Sequence, residues 1–273
     1  MQRTFITPEP VSLYVELGSG ELVITAGDTT ETVVDVEGKN AEDVVVDQRG
    51  DEILVVAKSR STGFFGSSHD LTVRVTMPTD SRLSTKLGSA DVRAEGRLGE
   101  TMLKTGSGDV RLEETGEAAF IETGSGDVQL DRATGPLRVK SGSGDVTLTR
   151  AADAVNISTG SGDILIDLAA GPVLVKSGSG DMRVREAQED VNLSTASGDL
   201  VIDRARRGQL QAKNASGDIR VGIPAGIPVW TDVSSVTGSV RSNLQGAGQP
   251  EDDQDYIELR AKTVSGDVYL EQL

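Results

Sequence analysis

The sequence predicts an all-β chain folded as a single-stranded β-solenoid, and three observations carry that prediction. Ser-Gly-Asp occurs eight times, and the six copies ending at Asp109, Asp127, Asp145, Asp163, Asp181 and Asp199 stand eighteen residues apart. Two pairs of apolar residues alternate with polar ones inside each period, as half-buried strands do. A small residue recurs six positions after the Asp, at Ala133, Ala151, Ala169, Ala187 and Ala205. A fixed period over this length marks structural units stacked on one another.

Each period reads in order from its Asp. The first strand carries apolar residues at positions one and three, as in Val110 and Leu112, Val146 and Leu148, or Ile164 and Ile166. The alanine follows, at a corner where a larger side chain would not fit. A turn comes next, twice written Gly-Pro, at 135–136 and 171–172. The second strand has its apolar pair at positions ten and twelve, as in Leu137 and Val139 or Val173 and Val175. Ser or Thr and a Gly-rich turn restart the cycle. Neither strand can bury its face alone. Stacked about 4.8 Å apart, the rungs line their valines and leucines into internal columns. An antiparallel meander satisfies the same alternation, but it has no need of equal loop lengths. The coil is expected to be right-handed, the usual sense of parallel crossovers.

The flanks depart from the period. Strand-like runs occupy 11–16, 21–25, 32–37, 52–57 and 71–77, and Gly18-Ser19-Gly20-Glu21 reads as a faded turn copy. A seventh Ser-Gly-Asp ends one residue late, at Asp218, and an eighth at Asp267. Solenoid ends need caps, because an open end exposes unpaired strand edges. The expected organisation is one continuous domain. Residues 1–88 form an irregular β cap and the first coils, 89–221 the regular solenoid, and 222–273 the last coils and cap. The acidic, Gly-rich stretch 245–255 is a solvated loop in that cap.

With 43 Asp and Glu against 27 Lys and Arg, the formal charge of the 273-residue chain is −16. Such a polyanion repels nucleic acid and anionic lipid. No cysteine is present, which excludes disulfides and thiolate metal sites. No stretch approaches the roughly 20 apolar residues of a membrane span. No apolar run follows Arg3, so the start does not read as a signal peptide, and a cytoplasmic location is the simplest expectation.

The Ser-Gly-Asp turn admits two readings. In the structural one, glycines such as Gly106 and Gly108 supply positive φ. Ser107 and Asp109 then accept hydrogen bonds from nearby amides or from the next coil. In the functional one, the column Asp109, Asp127, Asp145, Asp163, Asp181 and Asp199 binds Ca²⁺. Calcium-binding β-rolls build coils from G-G-x-G-x-D-x-U-x. Here the Asp follows Gly directly, and the opposite turn has no Gly-Asp motif. Arg111, Arg183 and Arg220, two residues after an Asp, are placed to neutralise it without metal.

Other residues stand out singly. His69, the only histidine, lies beside Ser68 and Asp70, but adjacency in sequence does not make a triad. Phe64 and Phe65 sit between glycines, either as an exposed tip that docks a partner or as a plug for the N-terminal end of the core. Trp230 has the same two readings at the other end, partner contact or cover for the last rung. Carboxylates are plentiful but follow the repeat, whereas a catalytic site should break it, so no enzyme activity is expected.

Ser141-Gly142-Ser143-Gly144-Asp145-Val146-Thr147-Leu148 recurs in variants along the chain, and this run resembles the bacterial β-strand-repeat family called "putative adhesin", of unknown function. The segment from Ile227-Pro228-Val229-Trp230 to Ser265-Gly266-Asp267-Val268 is similar to the ending of its actinobacterial members, and Phe5-Ile6-Thr7-Pro8-Glu9-Pro10-Val11 to their start. The resemblance covers nearly the whole chain. It implies a solenoid-like fold and no catalytic residues.

The expected function is a non-catalytic scaffold or protein-interaction module without a cofactor, whose binding surface is built from outward residues such as Arg111, Gln129, Thr147 and Arg183. The sequence leaves the protein partner and the oligomeric state open. A carbohydrate-binding or carbohydrate-active β-helix is the alternative, although aromatic residues for stacking on sugars make up only 3% of the chain. Cation binding along the Asp column is the second.

Overall fold

The computed structural model describes residues 1–57, 71–246, 248 and 254–273. The described residues are overwhelmingly β-strand, and no helix among them is long and apolar enough to cross a membrane. The chain divides into two compact units, Met1–Pro136 and Leu137–Leu273.

In the second unit, strands pair in parallel with the strand one period away. Val146–Ala151, Ile164–Ala169, Met182–Ala187, Leu200–Ala205 and Ile219–Ile223 stack in that order. Leu137–Ser141, Val155–Ser161, Val173–Ser179, Val191–Ser194 and Gly208–Lys213 stack likewise. Parallel pairing between alternate strands is a coil and not a meander, in which sequential strands pair antiparallel. The register aligns Val146, Ile164, Met182, Leu200 and Ile219 as one internal column, and each is at most 2% exposed. Ala151, Ala169, Ala187 and Ala205 form another column, also buried. Where the strand ladder gives way to the corner, the amides of Ala170, Gln188 and Arg206 reach the alanine carbonyls one rung back at 2.9–3.0 Å.

The last coil is not where chain order would put it. Ile257–Thr263 pairs on one side with Gly208–Lys213 and on the other with Val229–Ser235. Val268–Gln272 lies in the same way between Ile219–Ile223 and Val240–Ser242. The C-terminal segment is therefore inserted as the penultimate rung, and residues 229–242 form the outer one. On the outside, Tyr269 lies between two guanidinium groups, those of Arg220 at 5.1 Å and Arg241 at 5.7 Å from its ring centre. These cation–π contacts tie the inserted rung to both neighbours.

The first unit repeats this device at the other terminus. The long strand Ser12–Gly27 lies between Arg82–Leu98 on one side and Glu52–Ala57 with Leu71–Pro78 on the other. Gly18-Ser19-Gly20-Glu21 is aligned with Gly88-Ser89-Ala90-Asp91, so the faded copy keeps the register of the motif, although both runs lie inside continuous strands and not in a turn. Thr101–Thr105 with Val110–Thr115, and Ala119–Thr123 with Val128–Ala133, continue the stack. An antiparallel cap covers the 52–78 rung. Val44–Arg49 pairs with Glu52–Ala57, Glu31–Glu37 pairs with Leu71–Pro78, and Gln2–Ile6 closes onto Glu31–Glu37.

The alanine column offers a direct test. Ala169 is fully buried between Ala151 and Ala187. Ala169→Leu is expected to destabilise by about 1–3 kcal/mol through overpacking. Urea unfolding measures it, and an unchanged midpoint would show that the corner has room.

Candidate functional site

The Asp column is built from backbone hydrogen bonds. In the first unit the amides of Asp109 and Asp127 donate to Oδ1 of Asp91 and Asp109, at 2.9 and 3.0 Å. In the second, Asp163, Asp181, Asp199, Asp218 and Asp267 donate to Oδ1 of Asp145, Asp163, Asp181, Asp199 and Asp218, at 2.7–2.9 Å. Ser239 of the outer rung donates to Oδ1 of Asp267 at 2.8 Å. The Asp carbonyl meanwhile accepts from the first strand residue one rung back, as in Ile164 to Asp181 at 2.9 Å. Each aspartate thus supplies the acceptor that its neighbour's amide needs at the corner.

The glycine before each Asp is required by space more than by φ. A Cβ on Gly108 or Gly126 would lie 1.9 Å from the carbonyl oxygen of Ala90 or Gly108 one rung back. Contrary to the sequence expectation, neither Gly106 nor Gly108 has a positive φ. Among the Ser-Gly-Asp copies positive φ first occurs at Gly162, and with it the turn changes. In the earlier rungs the glycine amide points inward to the buried hydroxyl of Thr105, Thr123 or Ser141. Later the same peptide is reversed. Thr159, Ser177 and Thr195 donate to the serine carbonyls of Ser161, Ser179 and Ser197. The amides of Gly180 and Gly198 turn along the stack to Ser197 and Ser216. One sequence motif therefore serves two turn conformations.

The second carboxylate oxygen remains outward. Arg111 meets that of Asp109 at 3.4 Å, and Arg220 that of Asp218 at 3.1 Å. Arg183 does not follow the expectation for it. Its Nε and Nη2 donate to Asp203, at 2.8 and 2.9 Å, because Asp203 extends from the adjacent strand. Among the described residues no group of three or more His, Asp or Glu side chains is arranged to hold a metal ion. The geometry of the column is that of a corner clamp, which commits one oxygen of each carboxylate to backbone.

Asp267 shows the electrostatic consequence. Its carboxyl is held below the ordinary 3.8, first by the Ser239 amide and then by the Tyr269 hydroxyl. The hydroxyl donates at 2.9 Å, and its own pKa is raised in return.

Trp230, the second candidate, does not cover the last rung. It points outward from Val229–Ser235 and is 60% exposed, and the core-facing positions fall to Val229, Thr231 and Val233. Val236 and Val240 are also exposed, at 74% and 47%. Phe64, Phe65 and His69 lie outside the described residues, as do 251–253 of the acidic loop. Arg111 and Gln129 line a shallow groove of about 320 Å³ with Arg93, Glu95, Glu113 and Asp131. Glu113 is engaged there, since its carboxylate accepts the Gly96 amide at 2.7 Å.

A larger open cavity of about 470 Å³ lies beside Gln254 and Asp255 of the acidic loop. Arg207 sits between Glu189 and Asp255 there, 3.6 Å from each, and Tyr256 and Glu258 complete the wall. No motif announced it. Its trace in the sequence is the nineteenth residue between Asp199 and Asp218. The extra residue falls at 206–208, where Gly208 takes φ +94° and lets the Gln209 amide reach Asp190 at 2.8 Å.

Residues 11–271 match the family described as Toastrack DUF4097. The chain belongs to that family. Solved structures similar to this chain include a putative adhesin from Bacteroides fragilis, at 14% identity and a TM-score of 0.39, covering 100% of this chain and 96% of that one. A putative lipid binding protein from Parabacteroides distasonis is 15% identical with a TM-score of 0.35, covering 98% and 96%. A putative adhesin from the same organism is 10% identical with a TM-score of 0.33, covering 100% and 96%. No curated protein matches the chain.

Two predictions follow from this Toastrack corner. Asp181→Ala leaves the Asp199 amide without its acceptor and is expected to cost about 1 kcal/mol. Gly180→Ala is expected to cost more, because its Cβ would lie 2.2 Å from the Gly162 oxygen at φ +119°. Urea midpoints rank the two, and the reverse order would contradict the steric account. Acid supplies the second test. A lowered folded-state pKa gives stability that is complete above the unfolded-state value and lost as pH falls through the folded one. Asp267→Asn should therefore lower Tm at neutral pH and flatten the acid limb below about pH 4. An acid limb identical to the parent's would remove Asp267 from that role.

Proposed function

We propose that this Toastrack chain is a non-catalytic interaction module that engages a protein partner at the outer rung, residues 229–242. The observation that carries the reading is the state of that rung. Among the described residues, Val229–Ser235 pairs only with Ile257–Thr263, and Val240–Ser242 only with Val268–Gln272. Their other edges present backbone donors and acceptors of the kind that an added strand satisfies. Trp230 stands exposed on the same strand, and aromatic anchors of this type dominate protein interfaces.

The regular rungs support a scaffold role. Their carboxylates and arginines are taken up by the corner clamp and by ion pairs such as Arg185–Asp167 at 3.1 Å and Arg206–Glu186 at 2.8 Å. Groups held in this way stiffen the stack and leave little that could act as acid, base or nucleophile.

The test is affinity capture from the native host with the parent chain and with a Trp230→Ala, Thr231→Pro double variant as baits. The proline removes an edge donor. Proteins retained by the parent and lost by the folded variant are expected. Equal retention on both baits would overturn the assignment of the outer rung.

A further inference from the structure

One face of the second unit carries two columns of side chains that are positive or neutral over six rungs. The second strands of six rungs, from Leu137–Ser141 to Ile257–Thr263, each present two outward positions between the buried ones, and the register lines these up as two adjacent columns. The columns contain six cations, Arg138, Lys140, Lys176, Lys213, Arg260 and Lys262. The remaining positions of these six rungs are Asn, Ser, Gln and one Leu, and beyond them the first carboxylate in line is Asp232 of the outer rung, opposite Arg260. In a chain of net charge −16 this segregation is a local reversal of sign.

The cations on this face are also less engaged than those elsewhere in the unit. Arg183, Arg185, Arg206 and Arg207 are each ion-paired. Among the described residues Arg138, Lys176, Lys213 and Arg260 have no such partner. Lys262 is held by Asp232 of the outer rung at 2.9 Å, and Glu258, just before Arg260, marks where carboxylates resume.

We propose that this face binds an extended acidic polysaccharide lying along the stack. The spacing carries the chemistry. Lys140, Lys176 and Lys213 stand on alternate rungs, about 10 Å apart at the usual strand separation. The rungs between them present Asn156 with Ser158, and Asn192 with Ser194, which are neutral donors and acceptors. A pyranose in an extended glycan advances by about the height of one rung. A polymer with an acidic group on every second sugar therefore sets its charges against lysines and its hydroxyls against amides and serines. Competing polyanions fit less well. The columns hold no aromatic side chain on which a base could stack. Leu174 is their one apolar residue, too little to enter a bilayer. The acidic remainder of the chain repels a broad anionic surface, whereas a thin strand meets only this strip.

The proposal does not depend on the protein contact at 229–242. Its test is calorimetric titration of the full chain with hyaluronan oligosaccharides, which carry one carboxylate per two sugars. Parallel titrations use neutral cello-oligosaccharides, polyglutamate and anionic lipid vesicles. Hyaluronan is expected to bind at low salt, with affinity falling as salt rises, and the three comparators to bind more weakly. Lys176→Gln with Lys213→Gln is expected to weaken binding by about tenfold. Trp230→Ala should leave it unchanged. The double variant replaces exposed residues and should keep the parent's Tm, which controls for folding. Absence of hyaluronan binding, equal binding by the double variant, or equal or tighter binding of any comparator would overturn the proposal.

Discussion

The structure depends on how closely its corners can stack. At the Ser-Gly-Asp turn the backbone of one rung passes over that of the next with no space for a Cβ, as at Gly108 against Ala90 and Gly126 against Gly108. That proximity brings each Asp amide within reach of the preceding Asp carboxylate. Steric and polar requirements are met by the same three residues, so the motif recurs as a unit. The hydrophobic columns follow from it. Once the corner sets the rung height, Val, Leu and Ile at positions one, three, ten and twelve stack in register.

A carboxylate ladder is an unusual way to finish a parallel sheet, because it lines up like charges. Several features moderate the repulsion. One oxygen of each aspartate receives an amide proton, and arginines such as Arg111 and Arg220 meet the outer oxygens of some. The rest faces water, where two unit charges about 4.8 Å apart repel by only ~1 kcal/mol. The cost per rung is thus similar to the gain from one hydrogen bond to a charged acceptor, and the close backbone contact makes the arrangement worthwhile.

In each unit one segment is inserted into its stack out of chain order. Residues 12–27 and 257–272 each occupy a penultimate rung, paired on both sides. Insertion gives each a second set of ladder bonds. It also hands the exposed positions to internal segments. At the N-terminal end these segments are covered by antiparallel strands. At the other end the outer rung keeps Trp230 and Val240 exposed. The candidate protein contact thus follows from the order in which the coils are stacked.

Much of this was legible in the residues. The eighteen-residue spacing and the alternation around each Asp determined the coil, its internal columns and the small corner at Ala151 to Ala205, because these are properties of single rungs repeated. The flanking strands were readable as strands, and Gly18-Ser19-Gly20-Glu21 as a faded copy of the motif. Their stacking order was not, because period and alternation say nothing about which rung lies beside which. For that reason Trp230 read as cover for the last rung and stands exposed instead. Arg183 beside Asp181 in sequence pairs with Asp203 in space, since neighbours across a sheet compete with neighbours along the chain. The cations of the second-strand face were visible one by one. Only the register, which sets Lys176 in line with Lys213 over rungs that carry no carboxylate in those columns, turned them into a surface.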